Sequence, residues 1–290
     1  MKLSYISFEE GQKHLDWIGL TEAFAQGHNR PKAEIADTFL YRDPDTLLSR
    51  SAWIDGLGLA VKSATVFPQN PSRGAPMING AVSLFSDRSG ELEALVDFHL
   101  VTKWKTAGDS LWAAKRLARP DSRNILIIGA GTVARSLRAA YAAGFPEARF
   151  TVWNRTRAKA EALAGGDERM QVADDLKAAV AQADIITSAT MSTTPLIRGD
   201  WLQAGQHVDL IGAYRPDMRE ADDDTLRRAR VFVDSYDTTL GHIGELKAPL
   251  ESGVFNARIF WVITTMRPIL PVNPRMKSPC LKTVAAPILI

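Results

Sequence analysis

The chain contains a single cysteine, Cys280, among its 290 residues. It therefore has no disulfide framework, and a reducing cytoplasm is the expected compartment. It also lacks an apolar run approaching the roughly 18 residues of a membrane span, and its first residues lack the apolar core of a signal peptide. The 35 basic residues barely exceed the 33 acidic ones and are dispersed. Neither nucleic acid nor a membrane is therefore an expected partner.

Two patterns of hydrophobicity divide the chain, whose apolar fraction of 46% is that of a globular protein. Between Thr46 and Asp97 the runs alternate as in β-strands. Later, strands such as "NILIIGA", "RFTVWNR", "ADIITSAT" and "HVDLIGA" alternate with helices, which predicts an α/β fold with a doubly wound parallel sheet. We expect a Rossmann domain at 122–240. Residues 1–121 and 241–290 are expected to form one discontinuous α+β domain for substrate binding and dimerisation.

The segment "IIGAGTVARS" predicts a dinucleotide site. Gly129, Gly131 and Ala134 have the G-x-G-x-x-A spacing, and the segment follows a predicted strand and opens a predicted helix. The pyrophosphate is expected at the N-terminus of that helix. The alternative is a purely structural glycine turn. The predicted cofactor-binding residues of this region and of a later strand end are Gly129, Ala130, Gly131, Thr132, Val133, Ala189 and Thr190. No metal site is predicted.

The end of the second strand indicates which dinucleotide is bound. An NAD-preferring site has Asp or Glu there, to accept from the ribose 2′-hydroxyl. This chain instead has Asn154, Arg155 and Thr156, and a guanidinium suits a 2′-phosphate. NADP(H) is therefore the expected cofactor, in preference to NAD(H). The alternative is a solvated arginine at a helix start.

Five segments, in order, resemble the ornithine cyclodeaminase/mu-crystallin family: "AVKSATVFPQNPSRGAPMINGAVSLF", "LVTKWKTAGDS", "IIGAGTVARS", "VWNRT" and "IGAYRPDMRE". The resemblance implies a homodimer built through the discontinuous domain, with the active site in the cleft between domains. It also implies an imino or amino acid substrate. The family's activities include ornithine cyclodeamination, alanine dehydrogenation and reduction of cyclic ketimines such as pyrroline- and piperideine-2-carboxylate.

The resemblance also implies basic residues that hold the substrate carboxylate. Lys62 matches the family's lysine before "ATVFPQNP", and Lys105 stands where the family usually has arginine. Arg50 is a further candidate for substrate binding. The alternative is that these lysines lie on the surface. A lysine within the apolar run "LGLAVKSATVF" is unusual, however, because burying an ammonium without a partner is costly.

Tyr214 distinguishes the family's reactions. Cyclodeaminases have an acid at this strand end, whereas this chain presents a tyrosine and no carboxylate there. A phenol is a poor base near neutral pH, but a hydroxyl donor can assist imine reduction. We therefore expect Lys62, Lys105 and Tyr214 to be catalytic in an imine reductase. Tyr214 as packing filler is the alternative. His242 is a candidate for substrate binding, with a structural role as its alternative.

The closing segment differs from the rest of the chain. No Asp or Glu follows Glu251, and the segment carries five prolines without a helical or strand period. The family usually ends with a helix introduced by a sequence like Asp-Glu-Ile-Thr-Leu-Phe. Permitted codons for Arg275–Leu281, read one base out of phase, give that sequence. We therefore hypothesise that the chain leaves its ancestral frame near Arg258; a divergent, folded terminus is the alternative.

Three functions stay open on the sequence. The leading one is NADPH-dependent reduction of a ketimine α-carboxylate. The second is an amino-acid lyase or dehydrogenase. The third is a non-catalytic NADPH- and ligand-binding protein of the crystallin kind, which an altered tail would favour.

Overall fold

The computed structural model describes residues 3–233, 239–241, 243–254, 260–262 and 280–283. The chain divides into two compact units, the first ending at Lys105 and the second beginning at Thr106. No helix in these described ranges is long and apolar enough to cross a membrane.

The first unit is built on a six-stranded sheet. Its elements are β1 (Ser4–Ile6), α1 (Phe8–Gln12), α2 (Trp17–Gly27), β2 (Glu34–Arg42), β3 (Asp45–Ile54), β4 (Gly58–Val66), β5 (Ile78–Phe85) and β6 (Leu92–Asp97). The spatial order is β1-β6-β5-β4-β3-β2. Strands β2 to β6 are antiparallel neighbours, and β1 runs parallel to β6. The strands β3 and β4 therefore lie side by side over their whole length, which places their side chains opposite each other.

Helix α3 (Phe98–Leu117) continues from the first unit into the second. The second unit then alternates strands and helices. They are β7 (Asn124–Ile128), α4 (Thr132–Gly144), β8 (Arg149–Trp153), α5 (Arg157–Ala164), β9 (Met170–Val172), α6 (Leu176–Gln182), β10 (Ile185–Ser188), β11 (His207–Leu210), α7 (Asp223–Arg228), β12 (Ala229–Val233), α8 (Gly244–Glu251), β13 (Phe260–Val262) and β14 (Cys280–Thr283).

The strands of the second unit form one parallel sheet in the order β13-β12-β14-β11-β10-β7-β8-β9. The strands β10 and β11 are buried throughout, and in β7 the residues Ile125–Ile128 are covered completely or almost so. Burial on both faces explains why Ile125–Ile128 form a continuous apolar run. The predicted α/β fold with a parallel, Rossmann-like sheet is confirmed. The predicted domain boundaries near 122 and 240 stay predictions.

The order of strands reverses between β7 and β10. From β7 the chain adds β8 and β9 on one side, and it then crosses to β10 and β11 on the other. In open parallel sheets, ligands bind in the crevice outside the carboxyl ends of the strands at such a reversal. A dinucleotide site is therefore expected at the carboxyl ends of β7, β8, β10 and β11.

The closing segment contributes two strands that its sequence does not predict. Strand β14 pairs in parallel with β11 and β12, and β13 pairs with β12. Backbone pairing requires no side-chain period, so the hydrophobic pattern gave no sign of either strand. The other residues of this segment, including Arg258 and the start of the proposed frame change, lie outside the described residues.

Candidate functional site

The first unit buries two basic side chains against each other. Arg50 of β3 is paired in register with Lys62 of β4, and their side chains lie on the same face of the sheet. Arg50 is 6% exposed and Lys62 is 3% exposed. The interpretation of Lys62 as a surface lysine is therefore wrong.

Asp37 of the edge strand β2 holds Arg50. This residue lies opposite Arg50 on the other side of β3, and its two carboxylate oxygens accept hydrogen bonds from Nε and Nη2 of the guanidinium. The remaining nitrogen, Nη1, is buried and has no hydrogen-bond partner among the described residues. Arg50 is thus locked by one carboxylate while one of its donor nitrogens stays available to another.

Lys62 lies in an environment that disfavours its charge. Its Nζ lies 4.8 Å from the centre of the Phe98 ring. Burial, followed by the positive charges of Lys105 and Arg50, lowers the pKa of Lys62 to about 7. Lys105, on α3, has a buried ammonium nitrogen. The three cations predicted from sequence thus act on one another within the first unit. Such a cluster of buried cations has the charge to receive an anionic ligand.

In the second unit, the glycine turn after β7 has the backbone that a dinucleotide site needs. Gly129 has a φ of +108°, and a Cβ there would lie 2.8 Å from the carbonyl oxygen of Ala189. Gly131 precedes the first turn of α4, and no side chain of the described residues caps that helix. A Cβ on Gly131 would meet none of their atoms within 4 Å, which leaves room for a ligand. Ala134 is fully buried under the helix. These features fit a pyrophosphate held by backbone N–H groups.

The carboxyl end of β8 presents one arginine that is not engaged. Asn154 is folded over its own loop, because its Nδ2 donates to the carbonyl oxygen of Thr156 at 2.9 Å. Arg157 is held by Glu161 and Asp174. Arg155 is exposed, and it makes no ion pair within the part of the chain that the structure describes. Its guanidinium is therefore available to a phosphate group.

A carboxylate that the sequence analysis missed lies beyond the ends of β10 and β11. Glu220, the last residue of "IGAYRPDMRE", is fully buried. It accepts hydrogen bonds from Ser188 Oγ at 2.5 Å, from N and Oγ1 of Thr190 at 2.7 Å each, and from Gly212 N at 2.7 Å. Burial raises the pKa of Glu220, while these donors oppose that rise. Its partners are 8 to 32 positions away, so no local spacing indicates the cluster.

Tyr214 lies at the same end of the sheet. It is half-buried and packs against Ala213, Met218 and Ile243. Its hydroxyl makes no hydrogen bond to any residue in the described ranges, so the structure leaves it available to a ligand. The neighbouring Arg215 is tied to Asp217 by bonds of 2.9 and 2.7 Å. His242 lies outside the described residues.

The predicted residues therefore fall into two sets. Arg50, Lys62 and Lys105 come together in the first unit. The second set belongs to the second unit, at the carboxyl ends of its strands: Gly129, Ala130, Gly131, Thr132, Val133, Asn154, Arg155, Thr156, Ala189, Thr190 and Tyr214. Across the described residues, no three His, Cys, Asp or Glu side chains gather as they would around a metal ion.

The chain is similar to proteins of known activity. It is 50% identical over 258 residues to the Δ1-pyrroline-2-carboxylate reductase of Paracoccus denitrificans, covering 87% of this chain and 82% of that protein. It is 36% identical over 191 residues to the ketimine reductase mu-crystallin of Mus musculus, covering 65% of this chain and 60% of that protein. Both relatives are reductases of imines.

Solved structures share the fold. The Thermococcus litoralis Δ1-pyrroline-2-carboxylate reductase, in complex with NADH and L-proline, superposes with a TM-score of 0.89 at 23% identity, covering 99% of this chain and 93% of that one. The model of the ornithine cyclodeaminase/mu-crystallin family matches residues 53–268. With these matches added to the paired basic residues and the glycine turn, the chain belongs to the ornithine cyclodeaminase/mu-crystallin family.

Proposed function

We propose that this protein reduces a ketimine α-carboxylate, of the pyrroline-2-carboxylate or piperideine-2-carboxylate type, to the corresponding amino acid with NADPH. The observation that carries the proposal is the buried cluster of Arg50, Lys62 and Lys105. Burial and the neighbouring charges of Lys105 and Arg50 disfavour the charged state of Lys62, as its lowered pKa shows, and a ligand that brings negative charge relieves this repulsion. The carboxylate of an α-imino acid supplies that charge.

The three basic residues of the cluster take different parts in binding and reducing the imine. Arg50 Nη1 donates to the substrate carboxylate while Nε and Nη2 stay on Asp37. Lys105 adds positive charge. Lys62, whose pKa of about 7 allows both charge states near neutrality, either pairs with the carboxylate or supplies a proton to the imine nitrogen. His242, as a further substrate-binding residue, rests on the family resemblance alone.

Reduction needs a hydride at the imine carbon and a proton at the nitrogen. The reduced nicotinamide supplies the hydride when it is bound. The C=N bond then becomes CH–NH, and no ammonia leaves. Tyr214 needs only to offer its hydroxyl as a hydrogen-bond donor, which its lack of a partner among the described residues permits. Glu220, although close in sequence, does not replace the missing acid, because four donors from the protein occupy its carboxylate.

We infer a preference for NADPH over NADH from Arg155. Its exposed guanidinium and the absence of an acid at the end of β8 favour a 2′-phosphate. NADH is the alternative, since the Thermococcus neighbour was solved with it. Steady-state kinetics with both cofactors decide: equal or better kcat/KM with NADH would overturn the preference.

We also propose a homodimer formed through the first unit. All nine residues of the edge strand β2 are exposed, and they include Leu40 at 61% and Tyr41 at 75%. An exposed apolar edge strand is unusual in a monomer. Light scattering of the purified protein tests this, and a monomeric mass at micromolar concentration would refute it.

Two assays separate the proposed reaction from its alternatives. NADPH oxidation with pyrroline-2-carboxylate, without ammonia release from ornithine, supports the reductase. Ammonia from ornithine would instead identify a cyclodeaminase-like lyase, and turnover of an amino acid with NADP⁺ or NAD⁺ alone a dehydrogenase. Tight NADPH binding without any turnover would favour the non-catalytic protein. In that case, sequencing the coding DNA tests whether a frame change in the closing segment accounts for the missing activity. The frame hypothesis requires that a single-base change near Arg258 restores the ending usual in the family.

A further inference from the structure

Glu220 joins the carboxyl ends of two adjacent strands of the parallel sheet. One oxygen, Oε1, accepts from Ser188 Oγ and from both N and Oγ1 of Thr190, at the end of β10. The other oxygen, Oε2, accepts from the N of Gly212, just after β11. One side chain thus fixes the ends of both strands on the far side of the strand-order reversal.

The segments that Glu220 joins are in close backbone contact. A Cβ on Gly212 would lie 2.1 Å from the carbonyl oxygen of Thr190 and 2.8 Å from Cδ of Glu220 itself. No side chain larger than hydrogen fits between them. The position of Thr190 is therefore determined jointly by Gly212 and by the carboxylate.

Thr190 also adjoins the glycine turn. A Cβ on Gly129 would lie 2.8 Å from the carbonyl oxygen of Ala189 and 3.3 Å from Cγ2 of Thr190. The Ala189–Thr190 peptide is thus one wall of the turn that would hold the pyrophosphate. A shift of this peptide, which Glu220 anchors, would move that wall.

A second buried carboxylate holds Glu220 in place. Glu245, on α8, accepts from the backbone N of Glu220 at 2.6 Å and from that of Ala221 at 3.1 Å. The carbonyl oxygen of Glu220 in turn accepts from the N of Leu196 and of Ile197, at 2.9 Å each. Glu220 is consequently fixed at both its backbone and its side chain.

We propose that Glu220 is a positioning residue for the dinucleotide: it holds Thr190 and Gly212 so that the strand ends form one wall of the cofactor site. This rests on the proposed function only in assuming that the glycine turn binds a dinucleotide. The carboxylate acts as an acceptor from all four partners, two of which are backbone N–H groups that can only donate. An amide in its place brings two N–H groups towards atoms that already donate.

The test is Glu220→Gln, with Asp209→Asn as the matched control. Asp209 is another fully buried carboxyl group of the same sheet; it bonds to Thr187 and Tyr141 but not to Thr190 or Gly212. The Kd of NADPH is measured by calorimetry without any imine, and the KM of the imine is measured at saturating NADPH. Melting temperatures show whether each variant is folded.

We expect Glu220→Gln to raise the NADPH Kd about tenfold or more, with the imine KM within about twofold of wild type. Asp209→Asn should leave the Kd within about twofold. A wild-type Kd in folded Glu220→Gln, or an equal loss in Asp209→Asn, overturns the proposal. If Glu220→Gln does not fold, Ser188→Ala decides, because it removes one donor to the carboxylate: a raised Kd supports positioning and an unchanged Kd refutes it. A wild type that binds NADPH but reduces no imine would refute the proposed function and leave this result standing.

Discussion

The titration of Lys62 should set the pH dependence of imine capture. Only the charged ammonium attracts the substrate carboxylate, and its charge is lost as pH rises through about 7. With that pKa, the charged fraction is about 0.9 at pH 6 and about 0.01 at pH 9, so kcat/KM should fall roughly 90-fold over this range. The slope should be one proton, because the pH dependence of kcat/KM reports groups of the free enzyme.

The variant Lys62→Arg separates the charge of this residue from its titration. A guanidinium stays charged throughout this range, so the fall above pH 7 should disappear whatever the activity of the variant. Lys105→Arg is the control and should keep the wild-type slope. Initial rates of NADPH oxidation from pH 6 to 9 measure both. Any titration of the imine itself is common to all three proteins and cancels in their comparison. A flat wild-type profile, or the same fall in Lys62→Arg, would contradict the assignment of this pH dependence to Lys62.

Three further predictions concern the second unit. Burial raises the pKa of Asp209 to about 6, above its value of about 4 in the unfolded chain. The protonated carboxyl group therefore makes its full contribution to the free energy of unfolding below about pH 4. This contribution, about 3 kcal/mol, is lost as the pH rises through about 6 and the buried group ionises. Asp209→Asn should therefore raise the urea midpoint at pH 8 but not at pH 4, and equal shifts at both would contradict this. Gly129→Ala should lower the free energy of unfolding by about 1–3 kcal/mol because Gly129 has a positive φ. Gly131→Ala should melt at the wild-type temperature yet bind NADPH more weakly. A lower melting temperature of Gly131→Ala would contradict the open space beside Gly131. Arg155→Ala should reduce the NADPH-to-NADH ratio of kcat/KM about tenfold or more, while Arg157→Ala, whose guanidinium is engaged within the chain, should change it little.

The parts of the fold that follow local rules were predictable. Within β7, Ile125–Ile128 form an uninterrupted apolar run because they are buried on both faces of the sheet. Gly129 is required by its own backbone conformation, so the motif and its structural meaning coincide. Lys62 was identifiable because a lysine within an apolar β run needs a reason to be buried.

Features that depend on distant pairings could not be predicted. The register that sets Arg50 opposite Lys62 is a property of the β3–β4 pair, and the bond to Asp37 depends on a third strand. In the sequence, Glu220 is indistinguishable from an ordinary polar loop residue. Its partners Ser188 and Thr190 come close to it only when the parallel sheet has formed. Strand β14 joins the sheet through its backbone, which the side-chain pattern does not report.

The bond between Asp37 and Arg50 has an entropic consequence for ligand capture. A free arginine side chain carries about 2 kcal/mol of rotational freedom, which a ligand must remove when it immobilises the guanidinium. In this protein the side chain of Arg50 has lost that rotational freedom before a ligand binds, because Asp37 accepts hydrogen bonds from two of its three guanidinium nitrogens. An incoming anion meets a donor that is fixed in direction before binding, which is equivalent to roughly a 30-fold gain in affinity over an unrestrained arginine.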